Sequence, residues 1–136
     1  MSLEILNTKI ELEKRLSTAF PTTPISYPSV AFTPTASTYL RCQLFVGKPD
    51  DPVVGAKYRR ENMTFQVFVV CQHNKGEAEA FTIAQQISEL YARGTSISVS
   101  NLLIQTFRSP HISGSMIVDN RLVVPVMIPV VVQVFN

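Results

Sequence analysis

At 136 residues and a formal net charge of +2, the chain has the length of one domain and too little charge to argue for nucleic-acid binding by charge alone. It is 46% hydrophobic and only 16% charged, below the roughly 25% charged content of typical soluble domains, which fits a protein that buries surface against copies or partners. No apolar run reaches the roughly 18 residues of a membrane-spanning helix, and Glu4, Glu11 and Glu13 exclude a secretory signal, so a soluble, cytoplasmic protein is expected.

From Leu3 to Phe20 the pattern is that of an amphipathic helix, with Leu6, Ile10, Leu12, Leu16 and Ala19 as its apolar stripe and Ser2 as its cap. Pro21 stops it, and Pro24 and Pro28 hold the next segment extended, with a short strand expected within Ile25–Phe32. Tyr39–Val46 alternates as a strand with Leu40, Cys42, Leu44 and Val46 inward, and Met63–Gln72 reads as a stronger one. Between them, residues 47–62 are polar, turn-rich and far longer than a hairpin needs. They are expected to form an exposed arm that reaches a partner.

Gly76–Arg93 carries Ala80, Ile83, Ala84, Ile87, Leu90 and Tyr91 at helical spacing, with Phe81 extending the stripe. Glu77 and Glu79 favour its start, and Gly94 stops it. Ile97–Phe107 follows as a strand and residues 108–115 as a loop. Ile112–Val118 and Leu122–Phe135 then form a hairpin around Asp119-Asn120. The order α-β-β-β-α-β-β-β, without repeat or linker, predicts one α+β domain over residues 1–136. It is a mostly antiparallel or mixed sheet with two helices on one face.

The last strand is apolar on both sides: Val124, Val126, Ile128, Val130, Val132 and Val134 on one, Val123, Met127, Val131 and Phe135 on the other. Pro125 and Pro129 share parity, so their missing N–H groups lie along one lateral edge, which predicts an edge or bulged strand. A long apolar edge strand aggregates unless something docks on it, so this segment points to assembly.

The sequence offers little chemistry. None of the five glycines falls in a phosphate-loop spacing. Cys42 and Cys71, both in apolar runs, read as buried reduced thiols, with a disulfide the alternative if their strands pair in register; His73 and His111 lack a ligand cluster, so neither a metal nor any other cofactor is expected. Cys71-Gln72-His73 is the nearest thing to a thiol nucleophile beside a base, but an adjoining turn spoils its geometry. His111 before Ser113-Gly114-Ser115 lacks an elbow pattern, and Asp50 with Asp51 reads as a solvated turn. Lys57-Tyr58-Arg59-Arg60 is the one basic cluster with an aromatic inside it. Glu61, Asp50 and Asp51 offset it, so subunit salt bridges fit it as well as nucleic acid does.

Tyr58-Arg59-Arg60-Glu61-Asn62-Met63-Thr64-Phe65-Gln66-Val67-Phe68-Val69, then Gly76-Glu77 and the helix from Ala80 to Ile87, resembles the tail terminator (tail completion) proteins of long-tailed bacteriophages. The likeness extends over nearly the whole chain in element order. It implies a structural virion protein, not an enzyme: a six-membered ring of identical copies that caps the tail tube, ends its growth and offers a surface to the head–tail connector. It further implies DNA passing through the lumen without specific binding, no membrane, and assembly in the host cytoplasm into the neck of the virion. The interface would include Asp50, Asp51, Lys57, Tyr58, Arg59, Arg60 and Glu61, with Pro125 and Pro129 on the apolar strand and residues 47–57 as the arm. Reversing Arg59 and Arg60 is expected to block tail joining in a folded subunit. Other readings are a neighbouring neck or tube protein, a small-molecule-binding domain or thiol enzyme using Cys71 and His73, and a nucleic-acid module centred on Lys57–Arg60.

Overall fold

The computed structural model describes residues 4–28, 38–50, 58–72, 77–99 and 101–135. Two helices and eight strands follow in the order α1 (Glu4–Ala19), β1 (Ile25–Ser26), β2 (Tyr39–Asp50), β3 (Tyr58–Gln72), α2 (Ala78–Leu90), β4 (Ser96–Val99), β5 (Leu102–Thr106), β6 (His111–Ile112), β7 (Met116–Val118) and β8 (Arg121–Phe135). One mixed sheet runs β1-β2-β3-β8-β5-β4, with β6 and β7 also on β8. Only the β1–β2 pair is parallel. The α+β class and element order are those expected, with more strands. Residues 97–107 hold two strands, β4 and β5, paired with Val99 opposite Leu102, where the polar Ser100 and Asn101 interrupt the apolar alternation of the sequence.

The valine-rich β8 is central, not an edge strand. It pairs with β3 without a break from Tyr58↔Phe135 to Gln72↔Arg121. On its other flank it meets β5, β6 and β7 in three short pieces. Ser113 N–H donates to Pro125 O at 3.0 Å, so the backbone of Pro125 faces that flank. Pro129, four residues on, faces the same way, into the gap between Val130 opposite β5 and Met127 opposite β6. The prolines thus interrupt one ladder, as their parity requires. They do so inside the sheet, because a discontinuous neighbour needs no donor at those two positions.

Val124, Val126, Ile128, Val130, Val132 and Val134 are all fully buried on the face that both helices cover. Each such side chain contributes about 1.5–3 kcal/mol relative to exposure. Met63, Phe65, Val67 and Val69 from β3, and Leu40 and Cys42 from β2, join them, with Ala80, Ala84, Ile87 and Tyr91 of α2 packed above. Phe65 meets Tyr91 at 5.6 Å between ring centroids. On α1, Thr8, Leu12 and Leu16 are buried at four-residue spacing, whereas Leu6, Ile10 and Ala19 of the expected stripe are exposed. The helix lies at the margin of the sheet against β2 and α2, which bury a narrow line rather than a broad arc. Phe81 is likewise on the outside of α2.

Val46, expected to face inward, is 46% exposed, because it lies at the outer edge of β2, and the strand expected over Ile112–Val118 is broken into β6 and β7 at Ser113-Gly114-Ser115. The turn and the α2 stop are as expected. Asp119 (φ 49°) and Asn120 (φ 62°) form the two-residue turn between β7 and β8, both in the left-handed region that a type I′ hairpin turn demands. Gly94, at φ 93°, ends the α2 segment and donates its N–H to Thr106 O. The Ser2 cap lies outside the described residues.

Candidate functional site

β2 and β3 run well into the stretch expected to be an arm. β2 reaches Asp50 and β3 begins at Tyr58, so residues 47–50 are strand, with a register shift between Val46 and Pro49. Gly47 is required there: a Cβ would come within 2.6 Å of the Asn62 carbonyl oxygen. Asp51 and Lys57, with the rest of the arm, lie outside the described residues.

Strand alternation splits the basic cluster between the two faces of the sheet. Arg59 and Glu61 point to the helix-covered side, beside Val134 and Val132, with Arg59 Nε 4.0 Å from Glu61 Oε1. Glu61 is buried, 7% exposed, so its charge is held within the protein rather than offered on a rim. Tyr58 and Arg60 belong to the opposite, uncovered face. Asp50 stands opposite Arg60 in the β2–β3 register. On that uncovered face the Tyr58 hydroxyl donates to Gln133 Oε1 (2.8 Å), Gln133 Nε2 donates to Gln105 Oε1 (2.7 Å), and Tyr58 stacks obliquely on Phe135 at 5.3 Å. This polar rung crosses three strands. Arg60, Asn62, Gln105, Phe107, Val131 and Gln133 line a shallow hollow of about 430 Å³ around it. Farther along the face, Arg41 lies flat on Phe68 at 4.5 Å and Arg121 on Tyr39 at 5.4 Å. Pro125 is buried and Pro129 half-buried within the same face.

Among the described residues the outer edges of β1, β4, β6 and β7, and that of β2 beyond β1, have no paired strand; two of these, β2 and β7, expose large apolar side chains and lie on opposite sides of the sheet. Beyond the two-residue β1, which covers Leu40 and Arg41, no described strand pairs with the outer edge of β2, and Gln43, Phe45 and Val46 there are exposed. At the other side, the outer edge of β7 is unpaired, and all three of its residues are exposed: Met116 45%, Ile117 59% and Val118 45%. A Met-Ile-Val run before a hairpin turn reads from sequence as ordinary strand. That its outer neighbour is missing is a property of the sheet order.

Among the described residues both thiols are buried. Cys71 is 2% exposed, and burial pushes its thiol up; the Thr38 hydroxyl donates to its Sγ at 3.6 Å. His73 lies outside the described residues. Cys42 is pushed up to about 12 by burial, then by the nearby Glu13 carboxylate. Cys42 stands opposite Val67 in the register, four residues along β3 from Cys71. Roughly 13 Å of strand therefore separates the two, too far for a disulfide. Both are free. Among the described residues no three His, Cys, Asp or Glu side chains gather as a metal site, and no helix is long and apolar enough to cross a membrane.

A solved structure with 23% sequence identity superposes with a TM-score of 0.78, covering 100% of this chain and 99% of the other, which shows a shared fold. No curated protein matches the chain at a significant level. The family model described as phage tail terminator protein matches residues 9–129, spanning α2, most of α1 and most of the sheet. That family is a structural one, of the virion tail. The chain belongs to the phage tail terminator protein family.

Proposed function

We propose that this chain forms a closed ring of identical copies, six by resemblance, that caps the phage tail tube, ends its polymerisation and gives the head–tail connector its joining surface. The family match over residues 9–129 carries this reading. The open, apolar strand edges support it, since a lone subunit would leave them to aggregate and a ring covers each with the next copy. Its partners are then itself, the tail tube protein and the connector, with DNA passing through the lumen without specific binding. Assembly takes place in the host cytoplasm, and no cofactor takes part. Tyr58, Arg60 and Asp50, at the end of the sheet away from the β7–β8 turn, would orient the ring on its partners, with Asp51 and Lys57 in the adjoining arm. Arg59 and Glu61 would hold the base of that arm.

The test is to add the purified protein to growing tail tubes and measure tube length by negative stain, with light scattering over a concentration series of the protein alone. Tubes that stop growing and bear one ring at an end support the proposal. Long cylinders of this chain alone would make it a tube subunit, and unchanged tube growth would remove the capping role.

A further inference from the structure

The two open edges that expose large apolar side chains are complementary, and we infer that they join: the outer edge of β7 in one copy pairs antiparallel with the outer edge of β2 in the next, continuing the sheet from subunit to subunit. This rests on the ring reading and names its contact. The backbone fixes which groups are offered. In the two-residue hairpin, Val118 and Arg121 flank the turn as a hydrogen-bonded pair, so Ile117 turns its N–H and C=O outward. On β2, Leu40 N–H donates outward to Pro24 O at 2.9 Å, so by alternation Leu44 and Val46 also face outward, beyond the reach of β1. Ile117 aligns with Leu122, and Leu44 and Val46 with Phe65 and Met63, so all three lie on the helix-covered side of the sheet.

Setting Ile117 against Leu44 places Met116 beside Phe45 on the uncovered face. Those two side chains are 45% and 46% exposed in the subunit, and a thioether against an aromatic edge is a favourable pair. The same register brings the exposed β7–β8 turn to Cys42 of the neighbour, one residue past Arg41, where β1 ceases to cover β2. Because the edges are different strands on opposite sides of one sheet, the contact is heterologous. Rotation from copy to copy then closes it into a ring.

Cysteines at Met116 and Phe45 test it, since both positions are exposed and would form a non-hydrogen-bonded cross-strand pair within disulfide reach. The M116C/F45C double variant is oxidised and run on non-reducing gels beside each single variant and the unaltered protein, with and without tail tubes. The expected result is a ladder up to the ring size from the double variant alone. Disulfide dimers from M116C by itself would mean β7 meets β7, and a cross-link from M116C to the tube protein would mean β7 takes a tube strand; either overturns the contact, as does the absence of any ladder. Ile117→Pro removes the outward donor while keeping the bonds to β8. It is expected to give a folded monomer, whereas Ile117→Val keeps the oligomer. The tube-length assay separates the readings: a ladder without capping refutes the capping role alone, and capping without a ladder refutes this contact alone.

Discussion

The Tyr91 hydroxyl donates to the Leu12 carbonyl oxygen at 2.6 Å, tying the end of α2 to the middle of α1 across the buried layer. Tyr91 is fully buried, and its ring packs against Phe65 of the sheet below. One side chain therefore joins both helices and the sheet, beside a second tie in which Arg15 Nε of α1 donates to Leu90 O at the end of α2 at 3.0 Å.

Removing that hydroxyl isolates the bond from the packing. Tyr91→Phe is expected to lower stability by about 1 kcal/mol, because the Leu12 carbonyl keeps its helical partner. Phe65→Ala, which opens a cavity beneath the same ring, is expected to cost about 3–5 kcal/mol. Urea unfolding followed by circular dichroism measures both. Equal losses would mean that the hydroxyl, not the ring, anchors the layer.

Arg59 and Arg60 are expected to differ sharply when reversed. Arg60→Glu alters a position on the uncovered face and is expected to change stability by less than about 1 kcal/mol. Arg59→Glu places a second carboxylate beside buried Glu61. It is expected to cost on the order of 2 kcal/mol, less than a fully buried pair loses because Arg59 is partly exposed. Tail joining should therefore be read from the Arg60 variant, whose subunit stays folded. Normal infectious particles carrying Arg60→Glu would remove Arg60 from the interface.

The Cys42 thiol gives a pH dependence with a definite sign. It ionises near its ordinary 9.0 when unfolded and near about 12 when folded, so above pH 9 the unfolded state binds fewer protons. Stability from this group is complete below pH 9. It is expected to fall by about 1.4 kcal/mol per pH unit as pH rises from 9 towards 12. Denaturation of Cys42→Ala at pH 8 and pH 10.5, beside the unaltered protein, checks it. An identical pH slope in the two proteins would show that the loss has another source.

The β7–β8 turn offers a local test. Asn120→Gly suits its positive φ and is expected to stabilise by up to about 0.5 kcal/mol, while Asp119→Val forces a β-branched residue to φ 49° and is expected to cost about 1–2 kcal/mol. Thermal unfolding measures both. A neutral Asp119→Val would mean the hairpin adopts another turn.

Sequence alone determined what depends on local geometry. The α2 stripe of Ala80, Ala84, Ile87 and Tyr91 and the Asp119-Asn120 turn follow from near-neighbour sterics. So do the buried parity of β8 and the shared parity of Pro125 and Pro129, because periodicity acts through residues close along the chain. The Tyr58–Val69 stretch, with Gly76-Glu77 and the helix from Ala80 to Ile87, also carried the family resemblance. Only the tertiary structure decided what depends on which strands become neighbours. β8 lies at the centre because β3 pairs along its full length while three short strands share its other flank, an arrangement no alternation pattern encodes. The same pairing buried Glu61, left Arg60 on the uncovered face, turned Leu6 and Ile10 of α1 outward, and left β7, and β2 beyond β1, without an outer strand among the described residues. Exposure at those edges comes from the order of strands in space, set by long-range pairing that short-range preferences leave open.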